Sequence, residues 1–269
     1  MSGVAGTYLE RIVTAHRTRA SADDRNLATV EASAFAVAEP TRGFAAALRA
    51  PGLSVIAEIK RRSPSKGDLA PGLDPSALAA AYRDGGAACL SVLTDVDHFG
   101  GSVADLQVAR ATSGLPVLRK DFTVCEADVY DARIMGADCV LLIAAALSDD
   151  ELFSLHQTAT AVGLDVLVEI HDERELARAL GVGASLIGVN QRDLRTFQVD
   201  HDRARRVGAA MPGSVVRVAE SGVRGPADAA SLANAGFDAV LVGESLVTSA
   251  DPSGGVRALR AVIERTAPL

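Results

Sequence analysis

Two lysines and three glutamates stand in this sequence where proton transfer is the chemistry their types allow. Of 27 Lys and Arg residues only Lys60, Lys66 and Lys120 are lysine. A chain so biased towards arginine had Arg available for any surface cation. A guanidinium keeps its proton near neutral pH, whereas a compact ammonium can titrate, so the choice of Lys at a particular place is informative. Lys66 sits in a Ser/Gly-rich loop and carries little weight. Lys60 and Lys120 end apolar runs, as do Glu169, Asn190 and Glu220, and Glu58 precedes Lys60 by two residues, which puts both on one face of an extended strand. Any one of these reads equally well as a solvated strand end. Six that converge would place two ammonium groups and three carboxylates in one pocket, where burial and mutual charge push pKa values apart and create an acid and a base. The histidines, 16, 98, 156, 171 and 201, are scattered and read as surface or capping residues, with His171 the one beside a candidate carboxylate. Acid/base catalysis without a metal is the expectation.

A second signal follows the last two apolar runs. Glu220-Ser221-Gly222 and Gly243-Glu244-Ser245 are glycine turns placed directly after strand-like segments. Glycine lets the backbone come close to an anion, and N–H groups at such a turn bind phosphate. Ser63 adds a hydroxyl from the loop after Lys60. A small-molecule phosphate ester is therefore the expected ligand.

These residues need elements that bring them together. Short apolar runs begin at Ser54, Ala88, Pro116, Asp138, Asp165, Ser185, Ser214 and Asp238, each separated from the next by a segment with helical spacing, for example Pro75–Arg83, Asp149–Val162 and Glu173–Leu180. Strand and helix in alternation imply a parallel sheet, and eight units are the number that closes a barrel. Turns such as Gly136-Ala137-Asp138 and Gly236-Phe237-Asp238 recur where a helix gives way to a strand. The reading is α/β: a single (β/α)8 TIM barrel over residues 1–269, with 1–52 as an N-terminal helical extension. An open doubly wound sheet is the alternative, but no G-x-G-x-x-G follows the first run. In the extension Thr7–Arg19 and Thr41–Arg49 read as helices, which either cap the barrel's bottom or fold across its top.

Composition agrees. With 48% hydrophobic and 23% charged residues, 4% aromatics and no Trp, the chain has the Ala/Val/Leu/Ile core of a parallel sheet and its covering helices. The net charge of −7 with no basic run argues against nucleic acid. Cys89, Cys125 and Cys139 are odd in number and lack C-x-x-C spacing, so neither a disulfide framework nor a zinc site is expected. There is no secretory pattern at the start and no apolar stretch approaching a membrane span, which points to the cytoplasm.

Several blocks carry a family resemblance. Glu58-Ile59-Lys60-Arg61-Arg62-Ser63-Pro64-Ser65 resembles the E-x-K-x-x-S-P-S signature of indole-3-glycerol-phosphate synthases. Leu118–Phe122, Val168–His171, Gly188–Leu194 and Ala219–Gly222 are similar to further blocks of that family, in the same order. The resemblance implies a cofactor-free lyase of tryptophan biosynthesis, closing the ring of 1-(2-carboxyphenylamino)-1-deoxyribulose 5-phosphate with loss of carbon dioxide and water. It implies that Lys120 is the general acid at the ketone oxygen and Glu169 the base of the later steps. Lys60 would hold an anionic group of the substrate and act as acid in the dehydration, while Glu58, Asn190 and Glu220 orient them. Ser63, Ser221, Gly222, Gly243 and Glu244 would surround the phosphate, Phe122 and Leu141 would line the aromatic side, and Phe99 and Arg192 are lesser candidates. The sequence departs from the family at Gln191, where a second Asn is usual, and in having no Trp. A phosphoribosylanthranilate isomerase is a rival on the same fold, but its first strand ends in Cys where this one carries Glu58 and Lys60. A non-catalytic metabolite-binding paralogue would have lost one of the ionisable positions.

Overall fold

The computed structural model describes residues 7–64, 66–193 and 198–261; Ser65 and Leu194 of the signature blocks lie outside the described residues. The chain opens with helices α1 (Tyr8–Ser21), α2 (Leu27–Phe35) and α3 (Phe44–Ala47), followed by β1 (Ser54–Ile59). A two-residue ribbon, β2 (Arg62–Ser63) with β3 (Gly67–Asp68), interrupts the repeat, which then continues with α4 (Pro75–Asp84) and β4 (Cys89–Leu93). After α5 (Val96–Phe99) and α6 (Val103–Ser113) come β5 (Val117–Lys120), α7 (Glu126–Ile134), β6 (Cys139–Ile143), α8 (Asp149–Ala161), β7 (Asp165–Ile170), α9 (Glu173–Gly181) and β8 (Leu186–Asn190). The series ends with α10 (His201–Ala209), β9 (Val216–Glu220), α11 (Pro226–Asn234), β10 (Ala239–Val242), α12 (Glu244–Val247) and α13 (Pro252–Arg260). β1 and β4 to β10 pair in parallel and close on themselves, β1 lying between β4 and β10, so the sheet is a barrel and not an open one.

Alternation along the strands sorts the core into two shells. Val55, Ala57 and Ile59 face the helices, together with Leu90, Val140, Val168, Ile187 and Val240. Ile56, Cys89, Leu118, Cys139, Leu167, Leu186, Val216 and Leu241 fill the inside. Because side chains alternate with period two, Glu58 has the inward parity of Ile56, Lys120 that of Leu118, Glu169 that of Leu167, and Glu220 that of Val218. The charged residues are thus the last inward rung of strands whose lower rungs are apolar. The aspartates of the repeated turns fix the lower ends. Asp138 accepts the Val117 N–H at 2.8 Å, and Asp238 that of Arg217 at 2.8 Å, each tying a strand start to its neighbour.

The extension serves both ends of the barrel. Phe44 of α3 is wholly buried beneath Ile56, Cys89 and Cys139, and the Ala45 N–H donates to Asp165 at 2.9 Å, so α3 plugs the bottom. α1 lies across the top: Tyr8, Leu9 and Ile12 line the central cavity, and Arg17 bonds Glu151 at 2.6 Å. α2, packed on α7, is a helix that sequence periodicity did not show; its N-cap Asn26 accepts from the Thr29 N–H, but its outer face is apolar at Leu27 and Phe35. His16 also departs from the surface or capping role expected of it. It is buried on the inner face of α1, with Nε2 at 3.0 Å from Asp95 and 3.7 Å from Asp121, and fastens the helix to the loops after β4 and β5.

Candidate active site

The C-terminal ends of the barrel strands surround a cavity of 630 Å³. Glu58, Lys60, Lys120, Glu169, Asn190 and Glu220 all line it, and so do Ser63, Phe99, Phe122, Leu141, Arg192, Ser221, Gly222, Gly243 and Glu244. Every site residue read from the sequence is thus brought to one mouth.

At the floor, Lys120 Nζ lies 2.9 Å from Glu169 Oε2 and 3.3 Å from Glu220 Oε2. Asn190 Nδ2 donates to the other oxygen of Glu169 at 3.0 Å, and His171 Nε2 approaches that oxygen at 3.8 Å. Burial works against charge on Lys120, Glu169 and Glu220 alike. For Lys120 burial is outweighed by Glu169, Glu220 and Glu58, whose charges hold its pKa above that of an ordinary lysine. For Glu169 burial is outweighed by Lys120 and His171, so its pKa falls to about 2. Glu220 goes the other way: burial, reinforced by Glu169 and Glu58, prevails over Lys120 and pushes it up to about 7. Its Oε1 has no hydrogen-bond partner among the described residues. Gly188, on the inward face of β8, makes room for it, since a Cβ there would run into that oxygen. The floor therefore pairs a stored proton on Lys120 with one carboxylate held ionised and another poised to titrate.

Beside this floor Lys60 bonds Glu58 across the first strand end. A Cβ on Gly243 would collide with the Glu58 carboxylate and meet Lys60 Nζ at 3.2 Å, so only glycine lets the β10 turn close over the pair. Ser221 and Gly222 both take positive φ, +65° and +76°, and Ser63 Oγ is buried without a partner among the described residues. These groups form a concave polar wall suited to an anion. The Glu244 carboxylate pairs with Lys66 at 3.6 Å, and both residues line the cavity. On another side Phe99 and Phe122 stand 6.2 Å apart between ring centroids, with Leu141 and Ile143 also lining the cavity, an apolar berth for an aromatic ring.

Sequence reasoning missed Tyr8, Leu9 and Ile12, which reach the cavity from α1, and His201, which lines it from the start of α10. No strand period marks them. The apolar stripe of α1 was visible, but not the end of the barrel to which it docks. Ligand-type atoms of His16, Asp95 and Asp121 also converge within 4.8 Å. They are already engaged: Asp95 caps α5 through the His98 and Phe99 N–H groups, Asp121 accepts from Thr94 and Arg119, and Arg19 Nη2 sits 2.8 Å from the same imidazole. The cluster is accounted for as the fastening of α1.

Comparison with known proteins places this architecture. A family model described as Indole-3-glycerol phosphate synthase matches residues 9–259. Indole-3-glycerol phosphate synthase of Mycobacteroides abscessus is 50% identical over 254 residues, covering 94% of this chain and 93% of that protein. Indole-3-glycerol phosphate synthase 1 of Streptomyces coelicolor is 53% identical over 232 residues, covering 86% of each. Among solved structures, thiamine phosphate pyrophosphorylase from Pyrococcus furiosus superposes with a TM-score of 0.60 at 16% identity, covering 80% of this chain and 98% of that one, a likeness of fold alone. The family match over nearly the whole chain, joined to relatives at about half identity, shows that this chain belongs to the indole-3-glycerol phosphate synthase family.

Proposed function

We propose that this chain closes the indole ring of 1-(2-carboxyphenylamino)-1-deoxyribulose 5-phosphate, releasing carbon dioxide and water. The observation that carries the proposal is Lys120, clasped by Glu169 and Glu220 on the floor of a cavity with an anion wall on one side and paired aromatic rings on another. The phosphate is held by the turns at Ser221-Gly222 and Gly243-Glu244, with Ser63, Arg192 and Lys60 nearby. The anilino ring lies against Phe122 and Leu141, with Phe99 at its edge.

The ring carbon that bears the carboxylate attacks the ketone carbon of the ribulose chain. As that C–C bond forms, the carbonyl electron pair moves to oxygen, which takes a proton from Lys120. The raised proton affinity of Lys120 is no obstacle, because a developing alkoxide is a stronger base than an amine. Carbon dioxide then leaves, and the electrons of its bond restore the aromatic ring. In the dehydration Lys60 gives a proton to the departing hydroxyl while the nitrogen lone pair expels it. Glu169 takes the proton from the adjacent carbon, and the pyrrole ring becomes aromatic. Two protons are delivered and one returned, so one is taken up overall, as loss of a carboxylate as carbon dioxide requires. Asn190, Glu58 and Glu220 keep the two ammonium groups aimed.

The test is direct. The purified protein, incubated with the carboxyphenylamino ribulose phosphate, is expected to develop indole fluorescence with stoichiometric release of carbon dioxide. Isomerisation of phosphoribosylanthranilate without that fluorescence would favour the rival barrel enzyme, and binding without turnover a non-catalytic paralogue.

A further inference from the structure

Gln191, which stands where the resembled family has asparagine, is wholly buried, and its amide is used at both ends. Nε2 donates to the Ser221 carbonyl at 2.7 Å, and Oε1 faces His201 Nδ1 at 3.1 Å. A carbonyl can only accept, so the amide nitrogen must point to Ser221 and its oxygen to His201. An amide oxygen is likewise only an acceptor, so the proton of His201 sits on Nδ1. The residue so gripped is unusual. Ser221 is, among the described residues, the non-glycine residue with positive φ. Such a backbone costs on the order of 1–3 kcal/mol and persists when its surroundings hold it. Gly222 follows, and a Cβ there would meet Val199 Cγ1 at 2.5 Å and His201 Cε1 at 3.1 Å, so the imidazole packs directly against the turn. Val199 is itself pinned by an antiparallel bridge to Arg192.

We propose that Gln191 and His201 act together as a positioning brace for the substrate's phosphate turn, holding the Ser221–Gly222 backbone in the strained form in which it lines the cavity. The proposal rests on the phosphate reading of that turn given above. A glutamine spans the gap from the Ser221 carbonyl to the imidazole, and asparagine is one methylene shorter.

The brace is tested on the full chain through Gln191→Leu, His201→Leu, His201→Asn and the double leucine variant. The readouts are kcat, KM for the carboxyphenylamino ribulose phosphate, and the inhibition constant of inorganic phosphate. Each leucine variant is expected to raise KM and the phosphate inhibition constant together by about tenfold, the worth of one hydrogen bond, with kcat within about twofold. His201→Asn, whose Nδ2 takes the place of the imidazole Nδ1, is expected to keep both constants close to those of the unaltered protein. The double variant is expected to cost no more than the worse single one, because the two residues act as a unit. Unchanged constants in both leucine variants, a fall in kcat at constant KM, or failure of His201→Asn to preserve binding would each overturn the brace. If Gln191→Leu does not fold, Gln191→Asn takes its place, with a several-fold rise in both constants expected and no rise counting against the brace. If the unaltered protein fails to turn over the ester, the ring-closure proposal falls, and calorimetric affinity for inorganic phosphate across the same variants still decides the brace.

Discussion

At the scale of single residues the site turns on what a lysine can do that an arginine cannot. Lys120 sits among three carboxylates that bind its proton firmly, and it is 2.9 Å from Glu169. If it served only as a positive charge, arginine would do as well. As general acid it must hand over a proton in the transition state, a contribution typically of about 10²–10⁴ in rate. Lys120→Arg keeps the charge but cannot release a proton near neutral pH. Lys120→Arg and Lys120→Met are both expected to lose at least about 10²-fold in kcat, while substrate affinity, measured by equilibrium binding, changes much less. Near-full turnover in the arginine variant would leave Lys120 as an electrostatic clamp and move the acid role to Lys60.

At the scale of elements, the alternation of short apolar runs with helically spaced segments did most of the work. All eight barrel strands were legible as apolar runs, and the polar residue ending each informative run has the inward parity set by the apolar residues beneath it, as Leu167 and Glu169 show. The same logic failed for the extension. α2 intersperses Thr29, Glu31 and Ser33 among Leu27, Ala28, Val30, Ala32, Ala34 and Phe35, so its apolar residues form no single stripe to announce it. The short helix at Phe44 was legible as a helix, but its place under the barrel depends on Asp165, 120 residues away in the chain, accepting the Ala45 N–H. His16 was misread for a similar reason: its partners Asp95 and Asp121 belong to loops distant in sequence. A helix that plugs the bottom supports the fold and does not touch the chemistry at the top. Phe44→Ala is therefore expected to lower unfolding free energy in urea by about 3–5 kcal/mol, the cost of emptying a buried aromatic site, with kcat and KM unchanged at temperatures where the variant remains folded. A change in kcat/KM with little loss of stability would show that α3 communicates with the mouth.

At the scale of the whole molecule, the barrel gathers three buried carboxylates and two ammonium groups into a space that a metal ion would have to enter by displacing Lys120 from Glu169 and Glu220. Turnover is accordingly expected to survive dialysis against EDTA; loss restored by a divalent ion would overturn this reading. The same gathering of charge is expected to weaken the fold at higher pH, and Glu220 is the group to watch. Burial pushes its pKa up to about 7, against about 4.3 for an unfolded glutamate. A carboxyl whose folded pKa is raised contributes stability that is fully present below the unfolded value and is lost as pH rises through the folded one. Glutamine has the same shape and no proton to lose, so Glu220→Gln removes this penalty together with the group that helps aim Lys120. The thermal midpoint of Glu220→Gln relative to the unaltered protein is expected to shift in the variant's favour between pH 5 and pH 8, while its turnover falls. The opposite trend would mean that Lys120 keeps Glu220 ionised in the folded protein, as it does Glu169, and that the cavity holds no titrating carboxyl near neutrality. The expected result would make Glu220 a place where the fold gives up stability to keep a functional charge cluster in an apolar barrel.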